Sequence, residues 1–162
     1  RLNSVALAFW EDRLRRGERI VALGGSDTHY LKSPDPDPRH SPRLGVPTTW
    51  VEAGGRPSVA SILAALREGR AFVSASPRGP QLYLAPDPAR SARIHVEVRD
   101  GESCALLLVS DAGMIHTAAI DAARWDASIE IPRAARYVRA QLSDGTGEVR
   151  ALSNPVWTEH VG

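Results

Sequence analysis

The chain has one cysteine, Cys104, and one lysine, Lys32, among 162 residues. A single thiol cannot close an internal disulfide, so covalent bracing is excluded and the compartment stays open. Cys104 adjoins the apolar run Ala105–Val109, where a buried thiol is expected. No apolar run approaches the ~18 residues of a membrane-spanning helix, and Arg1-Leu2-Asn3-Ser4 has none of the pattern of a signal peptide. A chain opening without Met shortly before a helix reads as the remainder of a longer protein, soluble and either cytoplasmic or exported. Excess charge is missing too. Lys+Arg 20 against Asp+Glu 19 leaves +1, which speaks against nucleic acid or a membrane surface as partner. The cations are almost all Arg, a bias of a GC-rich, bacterial-type genome more than of a binding surface.

What is present describes a globular chain of one ordinary or two small domains. Asn3 or Ser4 caps a helix reaching about Arg16, with Leu7, Trp10 and Leu14 as its apolar stripe and Gly17 as its stop. Ile20–Leu23 follows as a fully apolar strand. Tyr30–Pro47 carries Pro34, Pro36, Pro38, Pro42 and Pro47, and so many missing amide donors exclude helix or central strand. Thr48–Ala53 reads as a strand. Ser58 caps a second helix whose stripe is Val59, Ile62, Leu63 and Leu66, with Gly69 its stop and Ala71–Ser74 the next strand.

Beyond Pro80 the period changes to two. Ile94, Val96 and Val98 alternate with His95, Glu97 and Arg99, and Asp100-Gly101 turns the chain. Ala105–Val109 reads as a strand buried on both faces. Further strands are expected around Ile129 and Ile131, at Tyr137–Leu142 and at Val149–Leu152, with turns at Asp111-Ala112-Gly113 and Asp144-Gly145. The expected class is therefore α/β followed by all-β. Residues 1–79 form the first part and residues 80–162 an antiparallel β-sandwich.

The chemistry concentrates in Gly24-Gly25-Ser26-Asp27-Thr28-His29, where an apolar segment runs into a glycine pair and then D-x-H. Asp and neutral His suit a hard or borderline divalent cation. Residues i and i+2 face the same way in extended backbone, so both can look into one mouth. The glycines let the backbone pass close to ligands. The bland alternative is that Asp27 satisfies loop amides in a turn, as Ser-Asp-Thr often does. His40, beside Arg39 and Arg43 in the Pro-rich stretch, could reach an anionic substrate, as could Tyr30 and Lys32, which follow the motif closely. Each is equally a solvated loop residue. His95, His116 and His160 read as surface residues. Trp10, Trp50, Trp125 and Trp157 are too scattered for a stacking platform and read as packing anchors.

Trp10-Glu11-Asp12-Arg13-Leu14 with Gly17, followed by A-L-G-G-S-D-T-H, resembles the closing segment of PHP-superfamily (polymerase and histidinol phosphatase) metallohydrolases, particularly the CehA/McbA-like branch. Gly45–Val51, Ile62–Ser74 and Leu152-Ser153-Asn154-Pro155-Val156 fit the same pattern. The resemblance implies the closing βα elements of a distorted (β/α)7 barrel, with two or three divalent ions (Zn, Mn or Fe) at its mouth and a phosphoester or related ester as substrate. Only the family's last D-x-H has matching positions, so Asp27 and His29 are the ligands it carries over. The other ligands would come from a missing N-terminal barrel half, in the same or a companion chain, and the fragment alone is expected to be inactive. The competing expectation is a non-catalytic β-sandwich module for binding or assembly, attached to an inactive barrel remnant.

Overall fold

The computed structural model describes residues 4–28 and 43–158. In chain order the elements are α1 (Ser4–Arg15), β1 (Thr48–Val51), α2 (Val59–Arg67), β2 (Ala71–Ser74), β3 (Gln81–Pro86), β4 (Arg93–Arg99), β5 (Ala105–Ser110), β6 (Gly113–Ala119), β7 (Arg124–Glu130), β8 (Tyr137–Ser143), β9 (Val149–Ser153) and β10 (Val156–Trp157). Two short helices thus accompany mostly antiparallel sheet, in the manner of a β-sandwich. Every strand pair among the described residues is antiparallel.

The larger sheet has the order β1-β2-β9-β8-β5-β6, with β10 also on β8; the smaller is β3-β4-β7. Their facing sides make the main core. Leu106, Leu108, Val138, Ala140, Leu142 and Ala151 meet Leu82, Ile94, Val96, Val98 and Ile129 there. The period of two in β4 explains its share, since Ile94, Val96 and Val98 are wholly buried while the residues between them face outwards. β5 corrects the sequence reading. Leu106, Leu108 and Ser110 are buried, whereas on its other face Leu107 and Val109 are half-buried and Ala105 is exposed, so that face is only partly covered.

A third layer covers the other face of the larger sheet. Trp10 and Leu14 of α1 pack on Val73, Tyr137 and Leu152, with Leu7, Ala22 and Trp157 at the margin. The expected stripe of α1 therefore faces inwards, and Gly17 ends the helix at φ +86°. Arg139 of β8 lies beneath the helix, 2% exposed. It is ion-paired with Glu11 and has Trp10's ring 5.8 Å from its guanidinium carbon. Burial pulls its pKa down to about 10, and the Glu11 carboxylate favours the charged form.

α2 begins with a capping box in which Ser58 and Ser61 satisfy each other's backbone amides. Its expected stripe is only partly inward, with Leu66 half-buried. Val59, Ile62 and Leu63 are 76%, 37% and 42% exposed, and Ala65 is the buried residue. The helix links two antiparallel neighbours and buries Ala65 with part of Leu66, which leaves Val59, Ile62 and Leu63 exposed.

Ile20–Leu23 does not join a sheet, contrary to the sequence reading. β1 and β2, placed by the sequence with the α/β part, pair antiparallel, and β2 continues into β9. The larger sheet thus draws strands from both sides of residue 80.

Candidate functional site

The segment leading to Asp27 is held by side chains where a strand would use a ladder. Asn154 accepts a hydrogen bond from the Ala22 amide at 2.6 Å through Oδ1. Its Nδ2 donates to the Ala22 carbonyl at 3.1 Å and to the Ala71 carbonyl at 2.9 Å. Thr49 does the same one step on, its Oγ1 accepting from the Gly24 amide at 2.8 Å and donating to the Gly24 carbonyl at 2.9 Å. Trp10 Nε1 donates to the Ile20 carbonyl at 2.8 Å. Both backbone groups of Ala22, and both of Gly24, are engaged by one side-chain partner each, as expected of alternate residues in extended backbone.

The position of Asn154 follows from an interruption in the sheet. β9 pairs Leu152 with Gln141, and β10 pairs Val156 with Val138, both on the same strand β8. Asn154-Pro155 falls between them. Ser153 Oγ accepts from the Ala140 amide at 2.8 Å, so no backbone donor is lost there. Asn154, 4% exposed, is thereby free of the ladder and turned towards Ala22.

Gly24 has a different role from the one its sequence suggests. A Cβ there would sit 2.5 Å from Val73 Cγ1, so the glycine serves close packing on β2. Gly25 meets nothing within 4 Å and is exposed. Asp27, also exposed, has φ +50°, in the left-handed region that Asp tolerates better than most residues. His29, Tyr30, Lys32 and His40 lie outside the described residues, so the structure locates only Asp27 of the sequence candidates. Among the described residues no three His, Cys, Asp or Glu side chains gather as a metal site would require.

Cys104 is buried and its thiol pKa is raised by that burial, away from a reactive thiolate. His95 and His116 are half-buried on β4 and β6, and His160 lies outside the described residues. Trp50 stacks on Phe72 at 6.0 Å and Trp157 meets Tyr137 at 5.5 Å, while Trp125 packs at the edge of the main core, as anchors should. An open groove of about 460 Å³ beside Met114, Ile115, Glu130, Ile131 and Pro132 holds one titratable group. No local pattern in the sequence assigns Asn154, Thr49 or Arg139 these roles. Leu152–Val156 is a distinctive stretch, but nothing in it specifies which backbone the Asn binds. No protein-family model, curated protein or solved structure matches this chain.

Proposed function

We propose that residues 1–162 are the C-terminal part of a metal-dependent hydrolase, in which Asp27 and His29 contribute to a site completed by an N-terminal barrel half. The observation that carries this reading is the double tether at Ala22 and Gly24, which gives Asp27 a fixed base three residues further on. A ligand needs such support, because loosely held carboxylates lose affinity to ordering entropy. The resemblance of G-G-S-D-T-H to the last ligand motif of the PHP superfamily supplies the chemistry. Divalent ions at such a site lower the pKa of a bound water and stabilise charge on a phosphoryl or acyl oxygen. In this reading Asp27 offers an anionic oxygen and His29 a neutral imidazole nitrogen, and residues 20–25 would form a barrel strand once the N-terminal half is present. The substrate is a small phosphoester or related ester.

The test is Asp27→Ala in the full-length protein that carries this segment. Metal content by elemental analysis and turnover of an aryl phosphate should both fall severalfold or more. Unchanged metal and unchanged turnover would sink the proposal. The 162-residue chain by itself should bind metal weakly and turn over nothing, since two ligands are too few to desolvate an ion.

A second reading, an assembly module, is favoured by a specific feature of the same segment. The tethers use Ala22 and Gly24, whereas the backbone groups of Val21, Leu23 and Gly25 have no hydrogen-bond partner among the described residues. Leu23 is 58% exposed beside them.

A further inference from the structure

Extended backbone presents its amide and carbonyl groups alternately to left and right. With Ala22 and Gly24 bound on one side by Asn154 and Thr49, the groups of Val21, Leu23 and Gly25 face the other way. They recur about every 6.8 Å, twice the rise of a strand residue. Donor and acceptor side by side at that repeat match one kind of ligand, another extended polypeptide. Such an open edge is the usual template for strand addition. The flanking side chains agree with this, since Ile20 and Leu23 are 39% and 58% exposed.

The sequence says which polypeptide fits. If two copies of this segment lie antiparallel with Leu23 on the two-fold axis, Val21 of one copy faces Gly25 of the other, and the reverse. All three outward residues of each copy then find partners, each opposed pair exchanging two N–H···O bonds. A parallel pairing in register would instead set Arg19 against Arg19. Gly25 leaves room for the Val21 side chain, and the two Leu23 side chains cover one another. We propose that this chain self-associates through an antiparallel, two-fold pairing of Ile20–Ser26 centred on Leu23. The proposal rests on the assembly reading above and deepens it by naming the occupant. An isologous contact of this kind closes at two copies and leaves no further edge.

The test uses the 162-residue chain as it stands. Sedimentation should show a monomer–dimer equilibrium, and Leu23→Lys, which sets two ammonium groups together on the axis, should abolish the dimer while leaving the far-ultraviolet spectrum unchanged. A Leu23→Cys variant should give a covalent dimer under mild oxidation, because hydrogen-bonded antiparallel residues lie about 5.5 Å apart at Cα, within disulfide reach. Met114→Cys is the control, exposed to 69% on β6 and remote from the pairing. It should cross-link only at the slow rate of chance collision. Leu23→Cys cross-linking no faster than that control would overturn the proposal. A dimer that survives Leu23→Lys would place association on another surface, overturning the strand pairing but not the assembly reading. A monomer throughout would remove both. None of these outcomes bears on the metal content of Asp27→Ala, so the hydrolase reading fails or stands separately.

Discussion

Asn154 occupies the place of a peptide unit. Its side-chain amide offers a donor and an acceptor about as far apart as those of a strand residue, and it spends them on Ala22 and Ala71. Because it is buried, truncation would strand three backbone groups without water to replace it. Asn154→Ala is therefore expected to lower stability by about 2–4 kcal/mol, read as a drop in the urea midpoint. Amide exchange at Ala22 should accelerate more than at Leu106 in the core. Equal acceleration at both would mean that Asn154 supports the whole fold and not this segment. Residue by residue, the readable positions were those whose role is local. Gly17 and Gly69 end helices through their own φ, at +86° and +72°. Trp10 and Leu14 follow helical spacing. Asn154, Thr49 and Arg139 act across 132, 25 and 128 residues of sequence, and no local pattern encodes such a partner.

At the scale of elements, β4 and β7 carry an ion-pair group that responds to acid. Arg99 donates to Glu97 at 2.8 Å along β4, and Arg124 reaches the same carboxylate from β7 at 3.0 Å. The hydrogen bond from Arg99, followed by the attraction of the two guanidinium charges, holds Glu97 below its ordinary pKa of 4.5 despite partial burial. The unfolded chain thus takes up this proton first as pH falls. The contribution is complete above about 4.5 and is lost as pH drops through the lowered native value. Urea midpoints should therefore fall between pH 5 and pH 3, roughly the carboxylate range. Glu97→Gln should make that fall shallower, while an unaltered slope would contradict the assignment. β4 was readable because its buried and exposed residues alternate. Ile20–Leu23 and Ala105–Val109 are uniformly apolar, so composition could not say which face or which edge would be covered. The stripe of α2 shows the converse, since regular helical spacing permits burial but does not supply a partner for it.

At the scale of the molecule, the sequence pattern changes near residue 80, yet the larger sheet draws strands from both sides of it. β2 pairs with β9, so Ser74 lies against Ala151 and Phe72 against Ser153. Strands that share a sheet lose their ladders together, and heating should give one calorimetric transition with matching van't Hoff and calorimetric enthalpies. Two resolved transitions would show that the parts before and after residue 80 melt separately. The sandwich class was readable from the regular spacing of strands and turns. The third layer was not, because α1 finds its seat only on residues far along the chain. That seat has a consequence in time. During synthesis α1 emerges before its partners, since Asn154 for Ala22, Arg139 for Glu11 and Arg136 for the Arg15 carbonyl follow 132, 128 and 121 residues later. Elongation at about 5–20 residues per second keeps Trp10 and Leu14 without their partners for many seconds, which makes α1 a natural client for a chaperone at the ribosome.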